Sequence, residues 1–164
     1  MQNRRTLALL AALTLTAACG GEPPANPPAD TGAESAPPAA SSDALVGSWN
    51  LIMIDMADGE DLMPVEDAVP TLELSAEATP TGSRSFSGFG GCNRMMGSYD
   101  AGSTGRFSMA QPPAMTMMAC PDPVMRVEQM LALGLESATS WAVEGDALEI
   151  GFGGGTLRFE RPTP

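Results

Sequence analysis

Thr139-Ser-Trp-Ala-Val-Glu-Gly-Asp-Ala-Leu-Glu-Ile-Gly-Phe-Gly-Gly-Gly-Thr-Leu-Arg-Phe-Glu160 sets the fold class. Three short runs, Thr139–Val143, Ala147–Phe152 and Thr156–Glu160, carry aromatic and branched residues. Gly145-Asp146 and Gly153-Gly154-Gly155 separate them. Turn residues at such close intervals leave no length for a helix, so the stretch predicts a three-stranded antiparallel meander.

The residues upstream continue in the same manner. Leu45–Ile54 holds Trp49 and alternates only loosely, whereas Thr71-Leu-Glu-Leu-Ser75 alternates cleanly with period two, as a half-buried strand does. Ser85–Phe89, Gly97–Asp100 and Arg106–Ala110 are further short strands. One segment breaks the pattern. Val124, Val127, Leu131 and Leu135 recur at helical spacing after Asp122-Pro123, which suits an N-cap and a proline at the first helical position. A helix from Pro123 to Ser137 is expected, packed on the sheet and slightly weakened by Gly134. Short antiparallel strands at close spacing indicate a barrel or a sandwich. The acidic loop Asp55–Asp67 shows no period and reads as a solvated face.

Composition narrows the chemistry. The 164 residues contain no His, and all 8 basic residues are Arg. A Ser-His-Asp triad, a Cys-His pair and an imidazole metal site are therefore excluded, as are lysine Schiff bases and phosphate-loop lysines. A net charge of −12 argues against nucleic acid as a partner. No carboxylate pair is marked out for acid–base work, so neither an enzyme nor a bound cofactor is expected.

The N-terminus reads as an address. Arg4 and Arg5 precede the apolar run Leu7-Ala-Leu-Leu-Ala-Ala-Leu-Thr-Leu15, which is too short to span a bilayer. Residues 1–18 therefore read as a secretory signal peptide. Thr16-Ala17-Ala18-Cys19 resembles a bacterial lipobox, although Thr16 stands where Leu is usual. The resemblance implies lipidation of Cys19 and anchoring to a membrane. Cleavage by ordinary signal peptidase is the alternative. Gly20 rather than Asp follows the cysteine, which implies the outer membrane, with the protein facing the periplasm. Residues 19–43 form a Pro/Ala-rich tether. Three Pro-Pro pairs and no large apolar residue leave nothing to offset the entropy of folding, so this segment is expected to be disordered.

Residues 44–164 resemble the META domain, found in heat-shock-type bacterial envelope lipoproteins. Gly88-Phe-Gly-Gly91-Cys92-Asn93-Arg-Met-Met-Gly97-Ser-Tyr99 carries the resemblance. Met115-Thr116-Met117-Met-Ala119-Cys120, followed by Glu128, adds to it, with Trp49-Asn-Leu51 and Gly145-Asp146-Ala-Leu148 in the expected order. The resemblance implies a small, mainly antiparallel β-barrel-like domain with one packed helix. It also implies a role in stress tolerance or envelope maintenance and no catalytic activity, so a binding or scaffolding function, with an envelope protein as a possible partner, is expected. Gly91, Cys92, Asn93, Gly97, Tyr99, Thr116, Met117, Ala119, Cys120 and Glu128 are the family-motif positions, and Met115 and Met117 match it as core positions. Cys92 and Cys120 match the family's paired cysteines in a compartment that permits disulfides, and two buried free thiols are the alternative.

Some positions keep two readings. Asn93 either fixes its own turn or, with Arg94, forms a recognition tip. Glu128 caps or pairs with an Arg, or lies on the helix surface. Met95, Met96, Met109, Met115, Met117, Met118 and Met125 crowd the central third. Thioethers are soft ligands that suit Cu(I), so a periplasmic copper carrier is the rival to scaffolding. Carriage of a small hydrophobic ligand in the barrel mouth is a further one. Two points weigh against copper. No His accompanies the cluster, and neighbouring Met117 and Met118 would face opposite ways on a strand. Methionines that merely fill an irregular core need no metal.

Overall fold

The computed structural model describes residues 41–163. Residues 1–40, on which the expected signal peptide, the lipidation of Cys19 and most of the expected tether fall, lie outside the described residues. Ser42–Leu45 form a 3-10 turn, so Ser42 and Asp43, assigned to the tether from sequence, already sit in regular structure. Nine strands follow: β1 (Gly47–Met56), β2 (Thr71–Ala78), β3 (Arg84–Phe89), β4 (Arg94–Ala101), β5 (Phe107–Met109), β6 (Ala114–Met115), β7 (Ala138–Glu144), β8 (Ala147–Phe152) and β9 (Gly155–Glu160). Among the described residues there is one α-helix, α1 (Asp122–Glu136), between β6 and β7.

The strands form one antiparallel sheet in the order β5-β4-β3-β2-β1-β9-β8-β7, with β6 beside β4. The C-terminal meander pairs as its turns require, β7 on β8 and β8 on β9. The sheet curls into a nearly closed barrel. At the seam between β5 and β7, Arg106, just before β5, forms an isolated bridge with Ser140 of β7. Trp141 supplements it from β7. Its backbone N–H donates to Gly105 O at 2.8 Å, and its indole Nε1 donates to Gly102 O at 3.1 Å.

Local irregularities follow from this closure. The register between β1 and β9 shifts between Leu51 and Met53. Trp49 and Leu51 face the core before the shift and Ile54 after it, which explains the loose alternation of that strand. In β2, Leu72 and Leu74 point inward and Thr71 and Glu73 outward, as the clean period requires.

Side chains fill the barrel interior. Trp49, Tyr99, Phe107 and Phe159 are the largest of the fully buried ones. Val127, Leu131 and Leu135 of α1 join this core. A Cβ at Gly134 would meet Leu157 Cδ2 at 2.8 Å. That glycine, which costs helix propensity, lets α1 approach β9 closely. The helix begins one residue before Pro123. Pro121 occupies the N-cap without a side-chain hydrogen bond, and Asp122 lies in the first turn rather than capping it. The Asp122 carboxylate there still suits the positive end of the helix dipole.

The entry of the chain is clamped. Trp49 Nε1 donates to Leu45 O at 2.8 Å, and the Arg161 guanidinium lies 4.1 Å from the Trp49 ring. Arg161 also donates to Ala44 O and Val46 O, so the residue that follows the last strand secures the first turn. Arg84, at the start of β3, donates to Ser42 O and pairs with Asp43 at 2.9 Å.

The acidic loop is partly organised. Ile54 and Leu62 form an isolated bridge, as do Val65 and Ala68. Asp55 pairs with Arg158 and Glu60 with Arg126. Among the described residues, no group of three or more carboxylate or cysteine side chains is placed to hold a metal ion.

Candidate functional site

The β3–β4 turn and the segment after β6 build one polar knot. Gly90 N donates to Asn93 O at 2.7 Å and closes the turn. Gly91 holds φ at +105°, which a side chain rarely tolerates, and a Cβ there would meet Ala68 O at 2.9 Å. This backbone path turns the N–H groups of Cys92 and Asn93 toward α1. Glu128 Oε2 accepts from Cys92 N at 3.1 Å and from Asn93 N at 2.5 Å. Its Oε1 accepts from Asn93 Nδ2 at 2.7 Å. A Cβ at Gly90 would lie 2.5 Å from Glu128 Oε2, so only glycine leaves room for the carboxylate.

Asn93 carries the knot onward. Its Oδ1 accepts from Met118 N at 2.6 Å and from Thr116 Oγ1 at 2.9 Å. Its Nδ2 also donates to Met118 O at 3.2 Å. Thr116 and Arg94 exchange bonds across the same gap: Thr116 N donates to Arg94 O, and Arg94 N donates to Thr116 Oγ1. Cys92 and Cys120 are joined by a disulfide with Cα atoms 6.0 Å apart. The polar atoms of Asn93 and Glu128, each 3% exposed, thus find partners within the chain.

These contacts revise several sequence expectations. Asn93 does not bond its own side chain into the turn; it ties that turn to a distant segment. Glu128 neither pairs with an Arg nor lies on the helix surface. It sits on the inward face of α1, among the apolar stripe, because backbone N–H groups replace the water it lost. The cysteines are bridged rather than buried as thiols. Met117, matched as a core position, is 98% exposed, while Met115 is half-buried against the core. Strand β6 ends at Met115, so alternation no longer dictates where Met117 points.

Gly97 and Tyr99 lie farther along β4 and serve the core. A Cβ at Gly97 would meet the Phe86 ring at 2.7 Å. The Tyr99 hydroxyl donates to Ser75 O at 3.0 Å, and its ring stacks on Phe107 with centroids 5.5 Å apart. Burial pushes the Tyr99 phenol up, with nearby Arg84 opposing the shift.

The knot forms the floor of an open groove of about 590 Å³ between the Met115–Ala119 segment and α1. Asn93 and Glu128 lie at its base, and Met115, Met117, Met118, Met125 and Leu133 supply most of its apolar wall. Met118 is 60% exposed and Leu133 54%, an unusual display of large apolar surface. Nothing in the sequence reading pointed to Leu133, since its exposure depends on how α1 is rotated against the barrel.

The groove and the chain's entry occupy opposite ends of the barrel. Ser42 and Asp43 hold Arg84 at the start of β3, and the turn bearing Asn93 follows the end of that strand. A six-residue strand separates them by roughly 15 to 20 Å.

A nearly closed antiparallel barrel with one packed helix and a disulfide-linked polar knot defines the class of protein. The chain belongs to the META domain family, whose model matches residues 43–163. Two solved structures are similar. One, an NMR structure of a protein from Burkholderia xenovorans, is 31% identical, with a TM-score of 0.58, over 74% of this chain and 88% of that one. A second NMR structure is 15% identical, with a TM-score of 0.52, and covers 74% of this chain and 95% of the other. This second likeness concerns the fold alone. No match was found among curated proteins.

Proposed function

We propose that this protein is a non-catalytic, lipid-anchored envelope module that binds an envelope protein through the groove beside the disulfide. The exposed apolar wall of that groove carries the reading, because soluble domains seldom leave such side chains uncovered. Methionine-lined surfaces also adapt to varied partners. Both oxygens of Glu128, the carboxylate at the groove floor, are already committed to donors of the chain itself, which argues against acid–base work there.

Cys19 would carry the lipid, and the Pro-rich tether would hold the domain off the outer membrane on its periplasmic side. The chain enters the domain at the end opposite the groove, so the tether would leave the groove open to a partner. Stress tolerance or envelope maintenance is the role that family membership suggests.

Photo-crosslinking in intact cells tests the binding reading. A crosslinker at Leu133 should capture a discrete envelope protein, and one at Thr81, in the turn between β2 and β3, should not. Equal capture at both positions, or none at Leu133, overturns it. Mass spectrometry of membrane-extracted protein tests the anchor: an unacylated Cys19, or an N-terminus elsewhere, refutes it.

A further inference from the structure

We propose that the groove is also a Cu(I) site, with the thioethers of Met115, Met117, Met118 and Met125 as its donors. The proposal does not depend on a protein partner. It rests on a placement that strand periodicity would forbid. Had β6 continued, Met117 and Met118 would lie on opposite faces of the sheet. The strand instead ends at Met115, and all four methionines line one groove.

The backbone on both sides is held. Met115 pairs with Met95 of β4, and Met125 sits in the early part of α1. Between them, Met118 is bonded to Asn93 through both its N–H and its carbonyl, and Cys120 is tied to Cys92. Met115 and Met125 are half-buried, whereas Met117 and Met118 are exposed, with room to swing over a bound ion. Long, unbranched thioether side chains suit that closing motion.

The donor set selects the ion. Neutral sulfur prefers a soft monovalent cation, and hard or borderline divalent ions favour oxygen, nitrogen or thiolate. The disulfide withholds both nearby cysteines as thiolates. Binding is by sulfur lone pairs alone, with no electron transferred and no proton displaced. Affinity should therefore be nearly equal at about pH 5 and about pH 7, unlike that of thiolate or imidazole sites.

The test titrates Cu(I) into the purified protein against a chromophoric chelator, under anaerobic conditions. Ascorbate keeps the copper reduced without opening the disulfide, and a Cys19→Ser background removes the remaining thiol. About one equivalent of Cu(I) should be withdrawn from the chelator, with Ag(I) competing and Zn(II) not. Both Met117→Leu/Met118→Leu and Met115→Leu/Met125→Leu should weaken binding by about 100-fold. The control Met63→Leu/Met96→Leu, which alters exposed methionines outside the groove, should leave it unchanged. Circular dichroism verifies that each variant is folded, and Leu replaces Met with little change in volume. No withdrawal of Cu(I), equal binding by either groove variant, or loss in the control variant overturns the proposal.

Discussion

Glu128 on α1 and Asn93 in the β3–β4 turn share two hydrogen bonds across 35 residues of sequence. One runs from the Asn93 backbone N–H and one from its side-chain amide. The pair fastens the helix to the sheet at the floor of the groove, and the disulfide fastens the same turn to the segment above it.

Glu128→Ala should lower stability by about 3 kcal/mol, since it strands three buried donors at once. Glu128→Gln keeps the shape but offers only one acceptor oxygen, so it should cost nearly as much. Urea denaturation of both variants measures the difference. A loss below about 1 kcal/mol for Glu128→Ala would show that water replaces the carboxylate without penalty.

Gly90→Ala and Gly91→Ala should be damaging for different reasons. The first drives a methyl group to 2.5 Å from Glu128 Oε2; the second places a side chain at φ +105° against Ala68 O. Each should cost about 2 kcal/mol or more. Gly145→Ala, at φ +60° with open space around it, should cost about 1 kcal/mol. Thermal melts of the three variants establish the ranking.

Cys92→Ser/Cys120→Ser should lose about 3 to 4 kcal/mol on the chain-entropy model for the loop enclosed by residues 28 apart. Amide hydrogen exchange should show the Thr116–Cys120 segment losing protection before the β7–β9 meander. Uniform loss across both would indicate that the bridge stabilises the whole fold as one unit.

Tyr99 is the only tyrosine, so its ionisation can be followed directly by ultraviolet absorbance. Burial raises its phenol above the ordinary value of 10.0. Above pH 10.0 the unfolded chain releases this proton before the native one does, so stability should fall as pH rises through that range and be unaffected by Tyr99 below it. A native titration midpoint at or below that of the urea-unfolded protein would contradict this.

Trp141→Phe removes the indole bond to Gly102 O at the seam. About 1 kcal/mol of stability should be lost, together with faster exchange of the amides of β5 and β7. An unchanged exchange rate would mean that the backbone contacts at the seam, the Arg106–Ser140 bridge and the N–H of residue 141 on Gly105 O, suffice to hold the closure.

Most strands and the helix were legible from residue order because their determinants are local, whereas β6 and the Arg94–Met96 start of β4 were missed. The meander declares itself through Gly145-Asp146 and Gly153-Gly154-Gly155, and α1 through the spacing of Val124, Val127, Leu131 and Leu135. The motif around Cys92, Asn93 and Cys120 marked a place without revealing what happens there. Read from sequence, Glu128 fell mostly off the apolar stripe, and burial of its carboxylate is intelligible only once the donors across the gap are known. Closure of the seam by Trp141, the clamp of Arg161 on Trp49, and the gathering of four methionines into one groove all join residues far apart in the chain. Pattern along a sequence reports which face a residue takes within its own element. Which partner waits on that face is settled only when the elements pack, because packing spends no local signal and leaves none to read.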